Sequence, residues 1–276
     1  MWGLCMKVVV VNDCSHVMED LMPYLSERFD VELIVRSRGL WSKTFGLLLK
    51  VLRAEGDVFH VNYALQDAYL VDKLKRRLDV LHVHGSDVRW TLHSRKYGWI
   101  VRSNLKNAGV VLYATPDLEG IVKEFRSDAM YLPTPVRTDV FARKDHYNDP
   151  PRAVYFRQYY EELPGDVIEL LEKNGIPLVM MEKNVPYEMM PGFLRRFDIF
   201  IDRFRIPSFS KTCLEAMSCG LATIDYRHRD SLSSRIAFLS DVSNVKRVGD
   251  ENRRFVVENH DVKKVADMLA RIWSGF

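Results

Sequence analysis

The sequence predicts an α/β protein of two Rossmann-like domains facing one another across a cleft. Short apolar runs of strand type alternate with longer helical stretches, as they do in a parallel, doubly wound sheet. The alternation breaks once, over the Pro-, Asp- and charge-rich segment from Pro133 to Arg152, and then resumes. A chain of 276 residues, 47% hydrophobic and 28% charged, has the material for one large or two small globular domains.

In the first half the strand candidates are KVVVVN, VELIV, DVFHVN, LDVLHVH, GVVLYAT and AMYLP, with helix-like segments between most of them. Apolar runs of this length suit strands covered on both faces. In the second half they are AVYF, PLVMM, FDIFI and LATIDY, separated by helices such as PGDVIELLEKNG and YEMMPGFLRRF. The final helix, DVKKVADMLARIW, is expected to complete this second set. The expected organisation is an N-terminal domain over 1–137, a linker over 138–150 and a C-terminal domain over 151–276. No repeat of short period and no low-complexity tract interrupts it.

Lys and Arg outnumber Asp and Glu by 40 to 37, an excess too mild to point to a nucleic-acid partner. Cys5, Cys14, Cys213 and Cys219 lie without paired CxxC motifs, which suits free thiols in a reducing compartment. No apolar run reaches the roughly 18 residues of a membrane span. MWGLCMKVVVV leads straight into a strand without signal-peptide architecture, so the expected location is cytoplasmic. The stretch RSRGLWSKTFGLLLKVLR, residues 36–53, sets Trp41 and Phe45 among Arg36, Arg38, Lys43, Lys50 and Arg53. It fits a helix lying peripherally on an anionic membrane surface, and equally a helix packing on the N-terminal sheet with solvated charges.

Open α/β sheets bind ligands outside the carboxyl ends of their strands. That rule selects Asp13, Ser15, His16, Asn62, Tyr63, His84, Gly85, Asp87, Thr115 and Pro116 in the first half. In the second half it selects Arg157 and the segment leading to Glu215. A cleft lined by these residues is a place for a nucleotide-like ligand. His82 and His84 share one strand face, but no third ligand is suggested nearby, and the expected site holds neither metal nor cofactor. Within FSKTCLEAMSCGLATI, residues 209–224, Ser210 or Thr212 reads as a helix N-cap and Gly220 as the left-handed residue past the helix end. Glu215, three residues after Thr212, has two readings: a capping-box partner or a ligand-binding carboxylate.

LEAMSCGLATI resembles the LEAMACGxPVI segment of the retaining, GT4-type (group 1) glycosyltransferases, which have the two-domain GT-B fold. RRFDIFIDRF is similar to that family's strand before the donor site, PTPVRTDVF resembles its interdomain PNGVDxxxF, and HVHGSD looks like its HxHG turn. These pieces occur in the family's order and cover most of the chain. The resemblance implies an enzyme that moves a sugar from a nucleotide-diphosphate donor, carried on UDP or GDP, to an acceptor with retention and without a metal. It implies that Glu215 is the second glutamate of the EX7E motif, holding the donor ribose, and that the N–H groups around Ser210, Lys211 and Thr212 face the diphosphate. By the same resemblance Arg157 neutralises the diphosphate and His84 lies near the reacting sugar. Asp13, Ser15, His16, Gly85 and Asp87 then fall on the acceptor side.

Three departures stand against it. Pro207 occupies the position of the first EX7E glutamate. The lysine expected after Arg157 falls at Leu163 or Pro164, with Lys183 or Lys211 as substitutes. The turn NDCSHVMED carries no glycine where relatives often have a glycine-rich loop. They keep open a degenerate, non-catalytic nucleotide-binding or partner subunit, and a nucleotide-sugar epimerase or hydrolase. The acceptor is unspecified by the residues, and the 36–53 stretch points to a lipid-linked or membrane-surface substrate.

Overall fold

The computed structural model describes residues 5–35, 46–157, 161–182 and 184–276, which fold as two compact units. The first comprises the chain up to Pro135 together with Lys263–Phe276, and the second comprises Val136–Val262.

The first unit holds six strands: β1 (Lys7–Val11), β2 (Asp30–Ile34), β3 (Val58–Asn62), β4 (Val80–Val83), β5 (Val110–Tyr113) and β6 (Met130–Tyr131). They pair in parallel in the order β2-β1-β3-β4-β5-β6. The helices are α1 (Val17–Leu25), α2 (Leu47–Arg53), α3 (Gln66–Lys75), α4 (Ser86–Arg89), α5 (Gly98–Asn107) and α6 (Glu119–Lys123). Side chains alternate across the sheet, so Val9, Val11, Phe59, Val61, Leu81 and Val83 pack on one face with Val51, Val71, Val101 and Leu105 from the helices. His60 and His82 belong to the alternate set of β3 and β4 and are fully buried.

The second unit holds β7 (Ala153–Phe156), α7 (Gly165–Lys173), β8 (Leu178–Met181), α8 (Met190–Leu194), β9 (Ile199–Ile201), α9 (Lys211–Ser218), β10 (Ala222–Ile224), α10 (Leu232–Phe238) and α11 (Val242–Asn259). Its sheet is parallel in the order β10-β9-β7-β8.

Two expectations are corrected. The last helix, α12 (Val262–Trp273), joins the first unit rather than completing the second. The cause is specific packing: Trp273 Nε1 donates to His60 Nδ1 at 3.2 Å, its ring meets Phe29 edge-on at 5.4 Å, and Asp267 pairs with Arg28 at 2.7 Å. The segment 138–150 is no free linker, because it is stapled into the second unit. Lys144 Nζ is buried and donates to the carbonyl of Phe197 at 2.6 Å and to Asp198 Oδ1 at 2.7 Å.

The two strand orders share one feature. β2 and β3 flank β1, and β8 and β9 flank β7, so in each sheet the chain reverses its direction of travel after the second strand. The crevices for a ligand therefore open at the carboxyl ends of β1 and β3, and of β7 and β9.

Candidate functional site

At the first of these crevices the backbone is strained. The described non-glycine residues with positive φ are Asn12 at 71°, Ser15 at 53°, His16 at 61°, Tyr63 at 71° and Arg76 at 54°, and all but Arg76 follow β1 or β3. Such conformations cost about 1–3 kcal/mol each and persist only where surrounding structure imposes them. This explains how NDCSHVMED turns without glycine: Asn12, Ser15 and His16 take the left-handed geometry themselves.

The bonds that impose it use most of the polar groups that the sequence selects. Asp13 accepts from the N–H groups of Met18 at 2.9 Å and Glu19 at 3.2 Å, so it satisfies the opening of α1. Asn12 Nδ2 donates to Asp67 at 3.2 Å, and Asn62 Nδ2 donates to the carbonyl of Asn12 at 2.9 Å, tying β1 to β3. Cys14 Sγ and the Tyr63 hydroxyl share a hydrogen bond at 2.8 Å, and burial pushes the Cys14 thiol up to about 11. Exposed His16 pairs with Glu19 at 2.5 Å.

His84, half-buried after β4, bonds Asn62 Oδ1 through Nε2 at 2.8 Å and lies against the rings of Tyr63 and His82, with centroids 5.3 and 4.1 Å away. Asp87 is fully buried and accepts from the backbone N–H groups of Ala64 at 3.0 Å, Gly85 at 2.9 Å and Val88 at 3.1 Å. Its carboxylate holds two turns together. Gly85 has φ 133°, and a Cβ there would come within 1.9 Å of the Arg89 guanidinium, so glycine is required. That guanidinium is bidentate to Asp117 at 2.7 and 2.9 Å and also reaches Thr115 Oγ1 at 2.9 Å; Pro116 stands between these two partners. Among the described residues no three His, Cys, Asp or Glu side chains gather as a metal site.

At the second crevice the arrangement centres on α9. Ser210 is its N-cap, accepting from the N–H of Cys213 at 3.1 Å. Ser210 is itself held by Asp202, the buried residue after β9, which accepts from Ser210 Oγ at 2.7 Å and from its N–H at 2.9 Å. Burial raises the Asp202 carboxyl. With Ser210 as the cap, the capping-box position falls on Cys213, so the capping reading of Glu215 is overturned.

Glu215 points into a different cluster. Its side chain is 3% exposed, its Oε1 accepts from the Tyr187 hydroxyl at 3.1 Å, and Lys211 Nζ lies 3.7 Å away. Lys211 also donates to the Tyr187 hydroxyl at 3.1 Å and sits 4.9 Å above its ring. Residues 211 and 215 are one helical turn apart, which is what brings the ammonium beside the carboxylate. Thr212 is half-buried in the same first turn.

Arg157 follows β7 as expected but lies at the rim: it is 60% exposed and pairs with Glu182 at 3.1 Å. Pro207 is exposed in a loop braced by Arg203, whose guanidinium donates to Ser208 O at 3.1 Å and Ser208 Oγ at 2.8 Å. Glu161, nearly buried, accepts from the N–H groups of Phe204 at 2.7 Å and Arg205 at 3.2 Å. Asp202, Tyr187 and Glu161 are the residues that the sequence reading misses. Asp202 had a usable signal, since it directly follows the strand FDIFI; Tyr187 and Glu161 lie in no motif.

Lys183 and most of the 36–53 stretch, Trp41 and Lys43 included, lie outside the described residues. Of its remainder, Leu47 and Val51 pack into the first unit's core while Leu49 and Leu52 are exposed. No described helix is long and apolar enough to cross a membrane.

No family model matches the chain, and no curated protein matches it in sequence. Solved structures do resemble it in fold. Sucrose-phosphate synthase from Thermosynechococcus elongatus is 11% identical over 98% of both chains with a TM-score of 0.72. The N-terminal domain of trehalose-6-phosphate phosphatase from Candida albicans is 10% identical over 97% of this chain and 98% of its own, with a TM-score of 0.65. The catalytic domain of starch synthase IV from Arabidopsis thaliana, bound to ADP and acarbose, is 10% identical over 97% and 95%, with a TM-score of 0.53. Likeness at 10–11% identity over nearly whole chains establishes the fold, two parallel α/β units of the GT-B kind.

Proposed function

We propose that the chain binds a nucleotide-diphosphate sugar in its second unit and transfers the sugar to an acceptor as a GT4-like enzyme. The observation that carries the reading is the cluster at the start of α9: a Ser-capped helix opening at the carboxyl end of β9, with Lys211 and buried Glu215 one turn apart. An ionised carboxylate there accepts ribose hydroxyls through charge-assisted bonds, taking up the acceptor atom that the Tyr187 hydroxyl uses. The N–H groups of Lys211 and Thr212 and the helix dipole favour a diphosphate, with Lys211 and Arg157 as its cations. Sugar transfer then consists of positioning and of stabilising the departing diphosphate, with retention at the anomeric carbon. This scheme calls on no cofactor and no metal. His84, Ser15, His16 and Gly85 are the first unit's candidates for the sugar and acceptor side, while Asp13 and Asp87 serve as anchors of the turns. Fold neighbours named for glycosyl synthases, one of them bound to ADP, support a sugar-nucleotide donor.

A second reading, a nucleotide-binding subunit without turnover, draws support from two observations. Pro207 replaces the first motif glutamate, and the Glu161 carboxylate already takes the N–H groups of the same loop.

Calorimetry with UDP and GDP, followed by donor turnover, tests both. Glu215→Gln keeps the bond to Tyr187 and removes the charge, so nucleotide affinity is expected to fall by about 1.5–3 kcal/mol. Unaltered UDP and GDP binding in that variant makes Glu215 a structural residue. Binding with no turnover of any sugar nucleotide favours the subunit reading.

A further inference from the structure

A pocket of 520 Å³ in the second unit is lined by Arg143, Lys144, His146, Arg152, Arg195 and Arg196, with Asp145 and Asn148 between them. Its volume lies in the range of small-molecule sites. Arg152 precedes β7, and Arg195 and Arg196 precede β9, so the pocket opens at the amino ends of the two strands whose carboxyl ends carry Arg157 and Asp202. A four-residue strand such as β7 separates the two ends by about 13 Å.

The cations of this pocket fall into two groups. Lys144 is neutralised by Asp198, whose oxygens also accept from Asn148 N at 3.1 Å, Asn148 Nδ2 at 2.7 Å and Arg152 N at 2.8 Å. Arg143 is paired with Asp250 at 2.6 Å. The guanidinium groups of Arg152, Arg195 and Arg196 have no carboxylate partner among the described residues, and Asp145 is the lining's remaining acid. Two of the three are held by aromatic faces: Arg152 lies 5.7 Å over the ring of Phe197, and Arg196 lies 5.7 Å over Phe193. A guanidinium held over an aromatic face keeps its N–H groups for an oxyanion. The whole chain carries a formal charge of only +3, so this concentration is local.

We infer that this pocket binds a phosphate group, with Arg152, Arg195 and Arg196 as its donors. Phosphate reaches a protein on a soluble metabolite or on a phospholipid head. The chemistry of the three arginines is the same for both. An apolar groove lined by Val185, Met189 and Phe193 shares Arg195 and Arg196 with the pocket, which gives a lipid-borne phosphate a place for its chain.

The test uses the full chain and two probes. In calorimetry with inorganic pyrophosphate, the double variant Arg195→Ala with Arg196→Ala is expected to weaken one binding event by about tenfold or more, the effect of losing charge-assisted bonds. UDP binding and Tm should hold, and Arg157→Ala should leave that event in place. Arg152→Lys keeps the charge but loses the fork, so its affinity should fall between the two. In sedimentation with phosphatidylcholine vesicles, with and without phosphatidylglycerol, capture by the anionic vesicles that the double variant loses assigns the phosphate to lipid. Pyrophosphate binding without vesicle capture assigns it to a soluble ligand. If the unmodified chain binds neither probe, or the double variant binds as the unmodified chain does, the inference is overturned.

Discussion

In the first unit the polar side chains that follow the strands bond the protein's own backbone and each other, while in the second unit charged groups gather at one helix start. The two sheets reverse direction in the same way, so topology does not account for the contrast. Local chemistry does. Beside β1 and β3, left-handed backbone is imposed on Asn12, Ser15, His16 and Tyr63 by a web that includes Asp13, Asn62 and Asp87. In the second unit the described residues with positive φ are glycines, Gly175 at 68° and Gly220 at 84°. One crevice is held by strained backbone and by carboxylates already bonded to the protein's own N–H groups, the other is polarised by Lys211, Glu215 and Asp202. A ligand that brings its own charge has more to gain at the second.

Acid should separate the two units most strongly. Burial lowers His60 to about 3 and His82 well below the ordinary 6.5. Below pH 6.5 the unfolded chain binds protons at both imidazoles and the folded chain does not, so this stability is complete above 6.5 and is lost as pH falls. At pH 5 the loss from His60 is about 2 kcal/mol, and His82 adds to it in the same direction. The second unit has no such loss from its shifted carboxyls over that interval. Asp225 is buried, but Arg227 and His228 hold it well below the usual carboxylate range, so its contribution goes only below about pH 3.8. Asp202, raised by burial, gains a proton more readily when folded, so acidification favours its folded form. The described tryptophans, Trp90, Trp99 and Trp273, lie in the first unit, and residues 136–262 contain none. Urea transitions followed by tryptophan fluorescence should therefore move to lower denaturant at pH 5, ahead of part of the far-ultraviolet dichroism. His82→Phe, which keeps a ring and removes the nitrogens, should reduce the shift. Coincident transitions that do not respond to pH would break the comparison.

Arg157→Ala probes the polarised crevice with a smaller effect. The Arg157–Glu182 pair is well exposed, so its loss should change stability by less than about 1 kcal/mol. If Arg157 meets the diphosphate, UDP and GDP should weaken by about 1.5–3 kcal/mol while uridine and guanosine hold. An equal loss for nucleoside and nucleotide would show Arg157 acting through the fold.

The sheet strands were legible because β1 and β5 are apolar runs, and β3 and β4 are apolar but for His60, Asn62 and His82, the composition of parallel strands buried on both faces. The assignment of α12 was not. Its spacing marks an amphipathic helix, and no periodicity specifies which sheet it covers; the Trp273 bond to His60 does so across 213 residues. The 138–150 segment has a linker's composition, and the burial of Lys144 depends on Asp198, far away in sequence. At the candidate site, the α9 cap was legible down to Ser210 or Thr212. Choosing between them needed Asp202, whose bonds to Ser210 fix where the helix begins. Glu215 was found by its segment, but its partner Tyr187 comes from a stretch with no motif, 28 residues earlier.

The smallest effect tests whether the strain beside β1 is real. Ser15 is exposed with φ 53°, a conformation that costs a non-glycine residue about 1–2 kcal/mol. Ser15→Gly removes that cost but gives the unfolded chain more freedom, worth about 0.5–1 kcal/mol in the other direction. The net expectation is a gain of up to about 1 kcal/mol, read as a higher urea midpoint with an unchanged slope. Gly220→Ala is its mirror in the second unit: φ is 84°, and an added Cβ would lie 3.1 Å from the Tyr147 hydroxyl, so stability should fall by about 1–2 kcal/mol. If Ser15→Gly instead lowers the midpoint, the serine side chain itself holds the turn. The left-handed geometry after β1 would then be supported by side-chain bonding at that position, rather than imposed on it by Asp13 and α1.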